Sequence, residues 1–313
     1  NVEKDAARLP LVVNTWGGSF AQATERAWEV ISHNQDALLD AVEQGCNVCE
    51  DIQCDWSVGF GGHPDSRGEV TLDAMIMFGP SHSVGAVGYL RRIKNAISAA
   101  RLVMEHTAHT MLTGEGATRF AAMMGLAEET LATDASDRAH KTWEVEDACQ
   151  PNYYRDLVGA DEGCPPYPPP AAPPAAAAAL GDEGGMRGTR GPRASTGRSL
   201  EEEAAVGVRD PARLLTTPGN HDTIGMVVVS GGGGDLACGT TTNGAAHKVA
   251  GRVGDAPVVG AGCYVDNAVG GAAATGDGDV MVRLLPAFRA VEAMRGGAPP
   301  VEACARALCA VAR

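Results

Sequence analysis

The sequence predicts an α/β fold in which helices cover an antiparallel sheet, giving a sandwich of layers. Three observations carry this. Residues 223–229, an apolar run, and 236–242 read as strands on either side of the glycine turn Gly231–Gly234, the pattern of a β-hairpin. Segments 20–32, 34–44, 89–106 and 115–124 precede that hairpin with apolar groups at helical spacing. Segments 279–295 and 301–312 follow it with the same spacing. Helices on both sides of the hairpin in sequence can cover both faces of a sheet.

Leu9 to Val13 is a short apolar run that reaches the glycines at 17 and 18, which predicts a first strand and a turn. Ala27, Trp28 and Ile31, then Leu38, Leu39 and Val42, place apolar stripes on the first two helices. Ser57–Gly62 and Glu69–Met77 read as two strands joined by the turn Pro64–Gly68. From residue 165 to about 219 the chain is rich in Pro, Ala, Gly, Arg and Glu, with almost no large apolar residues. Such a segment cannot bury enough surface to order itself and tolerates cleavage, so it is expected to be a flexible linker. Gly231–Gly234 is a turn rather than a phosphate loop, because no helix and no Gly-Lys-Ser/Thr follow. Pro286 inside the 279–295 pattern predicts a kink or a later helix start.

Composition sets limits on function. The chain has 313 residues, 44% of them hydrophobic, enough for a sizeable core. A net charge of −14 argues against a nucleic-acid partner, since phosphate binding needs a basic surface. No run of about 18 apolar residues is present, so no membrane-spanning helix is expected. Cys46, Cys49 and Cys54 lack a fourth ligand at zinc spacing. The close pairs Cys49/Cys54 and Cys149/Cys164 read better as short-loop disulfides, which favours an oxidising compartment. The count of nine cysteines leaves at least one without a partner in the chain. His106 and His109 stand at i, i+3 without a third ligand, so neither a metal nor another cofactor is expected.

The chemistry centres on Asn220-His221-Asp222-Thr223, where the linker ends and a strand begins. If the Asp222–Thr223 bond were cut, Thr223 would carry a hydroxyl nucleophile and a free α-amine on one residue. An α-amine has a reference pKa of roughly 7.7–8.0, which suits a general base near neutral pH. Singly, the other candidates have plain structural readings. Thr223 can be a β-branched strand opener. Arg252 and Asp255 can be a surface ion pair. Thr275-Gly276-Asp277-Gly278-Asp279 can be a turn and helix N-cap, with incomplete calcium-ligand spacing. Trp16 can be a core anchor.

Their combination and order change that balance. Leu9-Pro-Leu-Val-Val-Asn-Thr-Trp16, Cys54-Asp-Trp-Ser-Val-Gly-Phe-Gly-Gly62, Thr71-Leu-Asp-Ala-Met-Ile-Met77, Leu90-Arg-Arg-Ile-Lys-Asn-Ala-Ile97, Gly251-Arg-Val-Gly-Asp255 and Ala273-Ala-Thr-Gly-Asp-Gly-Asp279 together resemble the glycosylasparaginases, a family of N-terminal-nucleophile hydrolases. The resemblance covers residues 9 to about 152 and 219 onward. It implies a single four-layer αββα domain, cut at Asp222–Thr223 into an α part, residues 1–222, and a β part, residues 223–313. It implies hydrolysis of the bond between N-acetylglucosamine and asparagine, a glycoasparagine substrate, a lysosomal location and a heterotetramer of two α and two β subunits. Carried over, Thr223 is the nucleophile, with Ser57 and Thr242 beside it. His221 and Asp222 flank the scissile bond. Arg252 and Asp255 hold the α-carboxylate and α-amine of the asparagine, Thr275 and Gly276 form the oxyanion hole, and Trp16 lines the pocket. The family pairs Cys49 with Cys54 and Cys149 with Cys164.

The resemblance also marks departures. The linker is longer, and the Gly231–Gly234 turn has one extra residue. The family continues past Arg313 with further strands, one carrying a partner for Cys304, so the expected sandwich lacks its C-terminal strands. Two other readings belong beside the first: an asparaginase or isoaspartyl peptidase on the same scaffold, and an inert product that keeps the motifs without the fold.

Overall fold

The computed structural model describes residues 9–161, 163–168, 223–232 and 234–311. Most of the proposed linker, and with it His221 and Asp222, lies outside the described residues. Eight strands and eight α-helices are assigned among the described residues. The strands are β1 (Leu11–Asn14), β2 (Leu72–Phe78), β3 (Ser83–Leu90), β4 (Met111–Thr113), β5 (Ile224–Val229), β6 (Leu236–Thr242), β7 (Cys263–Asp266) and β8 (Gly270–Ala273). The helices are α1 (Ala21–His33), α2 (Leu38–Ile52), α3 (Ala96–His106), α4 (Gly114–Met123), α5 (Asp134–Val145), α6 (Gly278–Leu284), α7 (Pro286–Arg295) and α8 (Pro300–Val311).

Six strands form one sheet in the order β1-β5-β6-β2-β3-β4, and β7 and β8 form a second. The large sheet is antiparallel except at β3–β4, which run parallel. Side chains on a strand alternate between its two faces, and the cores follow that alternation. Leu72, Ala74 and Ile76 of β2, Ile224, Met226 and Val228 of β5, and Ala237 of β6 share one core with α1, α2, α3 and α4. Their alternate neighbours Met75, Met77, Val227, Leu236 and Cys238 meet Cys263 and Val265 of the small sheet in another. α7 packs on β7 and β8, and α8 packs on α7. Each fully buried aliphatic side chain contributes about 1.5–3 kcal/mol, so both faces of the large sheet are held chiefly by this burial.

Helix faces explain the first layer. Ala23, Ala27 and Ile31 of α1 and Leu38, Ala41, Val42, Cys46 and Cys49 of α2 are buried at three- and four-residue spacing. A Cβ on Gly45 would lie 2.8 Å from Met226 Cε and 2.9 Å from the Ala23 carbonyl oxygen. Glycine there lets α2 close on both α1 and β5.

Several sequence expectations are corrected. Ser57–Gly62 is a run of turns rather than a strand, because Trp56, Gly59 and Gly61 have φ of +58°, +83° and +69°. The hairpin partner of β2 is β3, with Met75 opposite Ala86. Residues 89–95 therefore belong to β3 and a turn, and the helix expected from 89 begins at Ala96. The second helix begins at Leu38 and continues to Ile52, past the expected end at 44. The 279–295 segment breaks at Leu285, whose φ is +48°, with Pro286 opening α7. Cys49–Cys54 and Cys149–Cys164 are both disulfides. A third, Cys238–Cys263, ties β6 to β7 across the two sheets and was not anticipated. Cys46 is a buried thiol, and Cys304 and Cys309 are exposed thiols.

Candidate functional site

Strand register assembles the site. β5 lies between β1 and β6, and the pairing of Ile224 with Thr241 brings Thr242 alongside Thr223. Thr223, at the head of β5, is buried. Its carbonyl accepts hydrogen bonds from Thr15 Oγ1 at 3.1 Å and from the Trp16 indole N–H at 3.2 Å. Its backbone N–H donates to Thr275 Oγ1 at 3.2 Å. Thr15 is fixed in turn, since its hydroxyl also accepts from Gly225 N at 3.0 Å and its N–H donates to the Gly225 carbonyl at 3.0 Å. A Cβ at Gly225 would lie 2.9 Å from Ala273 Cβ and 3.1 Å from Thr15 Cγ2, so glycine there lets β8 and Thr15 close around the threonine.

Thr223 opens onto a cleft of about 130 Å³ whose lining includes Tyr153, Thr242, Gly244, Arg252, Asp255 and Gly276. Thr242 accepts a hydrogen bond from Gly244 N at 3.0 Å, and Ser57 enters through its carbonyl, which accepts from Asn243 N at 2.8 Å. Both contacts shape the turn that follows β6. Arg252 donates through Nη2 to Asp279 at 3.1 Å, while its buried Nε has no hydrogen-bond partner among the described residues. The ion pair that the sequence suggested for Arg252 and Asp255 is therefore made with Asp279 instead. Asp255 is buried, and its Oδ2 likewise has no hydrogen-bond partner among the described residues. Burial pushes its carboxyl up to about 6, against the lowering influence of the Arg252 charge. A buried guanidinium N–H and a buried carboxylate oxygen left without partners are each costly.

The N-cap reading of the 275–279 segment is correct, since Asp277 Oδ1 accepts from Asp279 N at 3.1 Å and Val280 N at 3.2 Å. That cap starts α6 at Gly278, where a Cβ would lie 2.7 Å from both Arg252 Nη2 and Asp255 Oδ1. Only glycine lets the helix start approach the two charged groups so closely. Trp16 touches Thr223 through its indole N–H, while its ring borders a neighbouring groove with Leu11, Val12 and Trp28. Sequence reasoning missed Thr15 and Tyr153. The first adjoins Trp16 in the chain, and the second carried no signal of its own.

The model of the asparaginase family matches residues 11–313. The chain belongs to that family. Mouse N(4)-(beta-N-acetylglucosaminyl)-L-asparaginase is 46% identical over 306 residues, covering 97% of this chain and 78% of the mouse protein. The rat protein of the same name is 46% identical over 301 residues, covering 96% of this chain and 76% of its own length. A Drosophila sechellia protein named as a putative enzyme of this kind is 44% identical over 304 residues, covering 96% of this chain and 69% of its own.

For an asparaginase-family member, the arrangement offers three chemical capacities side by side. A strand-opening threonine has its backbone nitrogen held by a second hydroxyl. A guanidinium and a carboxylate line the same cleft. Thr275 Oγ1 adjoins the threonine nitrogen, and Gly276 lines that cleft. No group of three or more metal-ligating side chains occurs among the described residues, and no helix there is long and apolar enough to cross a membrane.

Proposed function

We propose that this chain is a glycosylasparaginase, hydrolysing the amide bond between N-acetylglucosamine and the asparagine side chain after cutting itself at Asp222–Thr223. The observation that carries the reading is the meeting, in one cleft, of buried Thr223 with the opposite charges of Arg252 and Asp255. A free asparagine moiety has an α-carboxylate and an α-ammonium to pair with those charges. Its side-chain amide then extends toward Thr223. The family match and the names of the mouse and rat relatives support the same substrate.

The steps follow from the groups present. In self-cleavage the Thr223 hydroxyl attacks the Asp222 carbonyl, and the peptide becomes an ester as the nitrogen leaves. Water hydrolyses that ester, freeing a carboxylate on Asp222 and an α-amine on Thr223. In turnover the α-amine takes the hydroxyl proton as Thr223 Oγ1 attacks the substrate amide carbon. The proton passes to the departing glycosylamine, and water releases aspartate from the acyl-enzyme. Thr275 and the Gly276 N–H are the donors for the oxyanion, each worth about 3–4 kcal/mol at the transition state. Ser57 and Thr242 shape the wall beside the nucleophile, and Trp16 fixes its carbonyl. His221 acts with Asp222 at the cut itself. Helices, large sheet, small sheet and helices make up the proposed αββα domain. A lysosomal location and a heterotetramer of two α and two β subunits complete the reading.

Intact-mass analysis tests it. The native chain is expected as two pieces, residues 1–222 and 223–313, and Thr223→Ala as one. Cleavage of Thr223→Ala at the same bond would exclude the threonine mechanism. Faster release of ammonia from free asparagine than of glycosylamine from glycoasparagine would favour an asparaginase on this scaffold.

A further inference from the structure

Lys248 lies in the loop between β6 and β7, one shell behind the cleft, and is almost fully buried. Its Nζ donates to the Asn243 carbonyl and, at 3.4 Å, to the Thr71 carbonyl. Asn243 is itself clamped, with its N–H on the Ser57 carbonyl at 2.8 Å and its side-chain amide on the Thr71 carbonyl at 3.3 Å. The ammonium thus pins the turn between Thr242 and Gly244, which borders the cleft.

The same turn is where two cations converge. A Cβ built on Gly244 would lie 3.0 Å from Lys248 Nζ and 3.3 Å from Arg252 Nη1. Gly244 has a φ of +88°, and its bare backbone is what lets both side chains close beneath the cleft wall. The charged groups facing Lys248 are Asp73 from β2, Asp65 from the turn before it, and Arg252 from its own loop. Asp73 is committed elsewhere: its Oδ2 accepts from Gly254 N at 3.1 Å and its Oδ1 from Tyr89 N at 2.7 Å. Asp65 is likewise committed, to Tyr89 Oη and to the N–H groups of Arg67 and Glu69. Neither makes a salt bridge with Lys248 among the described residues. Burial pushes the ammonium down to about 8, with Asp73 opposing that shift, so it keeps its charge at neutral pH.

A buried ammonium whose hydrogen bonds among the described residues are all to carbonyls is an expensive way to hold a turn. Lys248 and Arg252 bring two cations together beneath one end of the cleft, where they face the carboxylates of Asp73, Asp65 and Asp279. We propose that Lys248 is a positioning residue for the substrate's α-carboxylate, acting through the Gly244 turn and through the field it adds behind Arg252. The carboxylate is touched by one cation and attracted by two. The proposal rests on the substrate reading above and assigns Lys248 no contact with the reacting atoms.

The test separates charge from architecture. Binding of L-aspartate and of its α-amide is measured by calorimetry on the wild-type chain and on Lys248→Met, Lys248→Gln and Lys248→Arg. Intact mass and melting temperature monitor folding. Both neutral variants are expected to bind aspartate about tenfold or more weakly, with the α-amide changed less than about threefold, a difference set by one buried charge. Lys248→Arg is expected to keep the wild-type preference for aspartate over its α-amide. If either folded neutral variant loses the two ligands equally, Lys248 is only architectural and the proposal is overturned. Unchanged aspartate binding in a neutral variant overturns it too, as does a wild-type chain that binds neither ligand. Wild-type protein that binds aspartate but does not hydrolyse glycoasparagine would remove the proposed function and leave the role of Lys248 standing.

Discussion

Replacing Asp255 by asparagine isolates one charge in the cleft. The wild-type carboxyl is 4% exposed, its Oδ2 has no hydrogen-bond partner among the described residues, and burial raises it to about 6. Asparagine keeps the shape and removes the charge that would meet an α-ammonium. A charge-assisted hydrogen bond contributes about 1.5–3 kcal/mol, which at 1.36 kcal/mol per decade is roughly a 10- to 150-fold loss in kcat/KM. The pH dependence has a definite sign. Only the ionised carboxyl pairs with the ammonium, so Asp255 gives wild-type kcat/KM a further tenfold loss per unit below about pH 6, beyond the limb set by the Thr223 α-amine. The bound ammonium stabilises the carboxylate, so the corresponding limb in kcat should lie at lower pH. The assay is steady-state release of aspartate from glycoasparagine by wild type and Asp255→Asn across this range. The reasoning is refuted if the variant stays within about twofold of wild type near neutral pH, or if it keeps the further loss below about pH 6.

Two further outcomes follow from neighbouring geometry. Gly278→Ala would place a Cβ 2.7 Å from Arg252 Nη2 and Asp255 Oδ1; KM should rise about tenfold or more with self-cleavage retained, which kinetics and intact mass together would check. Glu50 is fully buried, accepts from Ile97 N at 3.0 Å and Thr241 Oγ1 at 2.6 Å, and is raised by burial from 4.5 to about 8. A raised carboxyl stabilises the fold least where the unfolded chain is ionised, so its stability contribution is complete below 4.5 and is lost as pH rises toward 8. Glu50→Gln should therefore gain stability relative to wild type at pH 8, by a few kcal/mol at most, and less at acidic pH. Equal melting differences at both pH values would refute this.

What the sequence made legible, and what it hid, has physical causes. The β5–β6 hairpin was readable because an apolar run and a second strand-like run bracket a glycine turn. Arg252, Asp255 and Gly276 were readable because they stand in strings specific enough to carry a resemblance, and Thr223 and Thr242 through their order relative to those strings. Ser57–Gly62 was misread because alternating Val, Gly and Phe imitate strand periodicity, while the left-handed backbone of Gly59 and Gly61 leaves no such trace. β3 was given no element up to residue 88, and its last two residues were read into the following helix, because its glycines at 85 and 88 break the apolar alternation. β4, β7 and β8 have three or four residues each, too few for periodicity, and β8 is only glycine and alanine. Thr15, Asp73, Tyr153 and Lys248 reach the site only through strand pairing and loop closure, which a linear reading does not supply.

The topology also bears on how a cut chain would stay one site. Residue 223 opens a strand flanked on both sides, by β1 from the first part of the chain and by β6 from the second. β6 pairs in turn with β2, so two ladders cross the proposed division. Thr15, Trp16, Ser57 and Thr71 reach across it to Thr223, Thr242, Asn243 and Lys248. The three disulfides all fall within one part or the other, so none joins the pieces covalently. A cut at Asp222–Thr223 would therefore leave strand pairing and burial to hold the new terminus, with its nitrogen against Thr275 and its carbonyl against Thr15 and Trp16. Such a terminus is immobilised before substrate arrives, which is the condition under which an α-amine can serve its own hydroxyl as a base without an entropy penalty at each turnover.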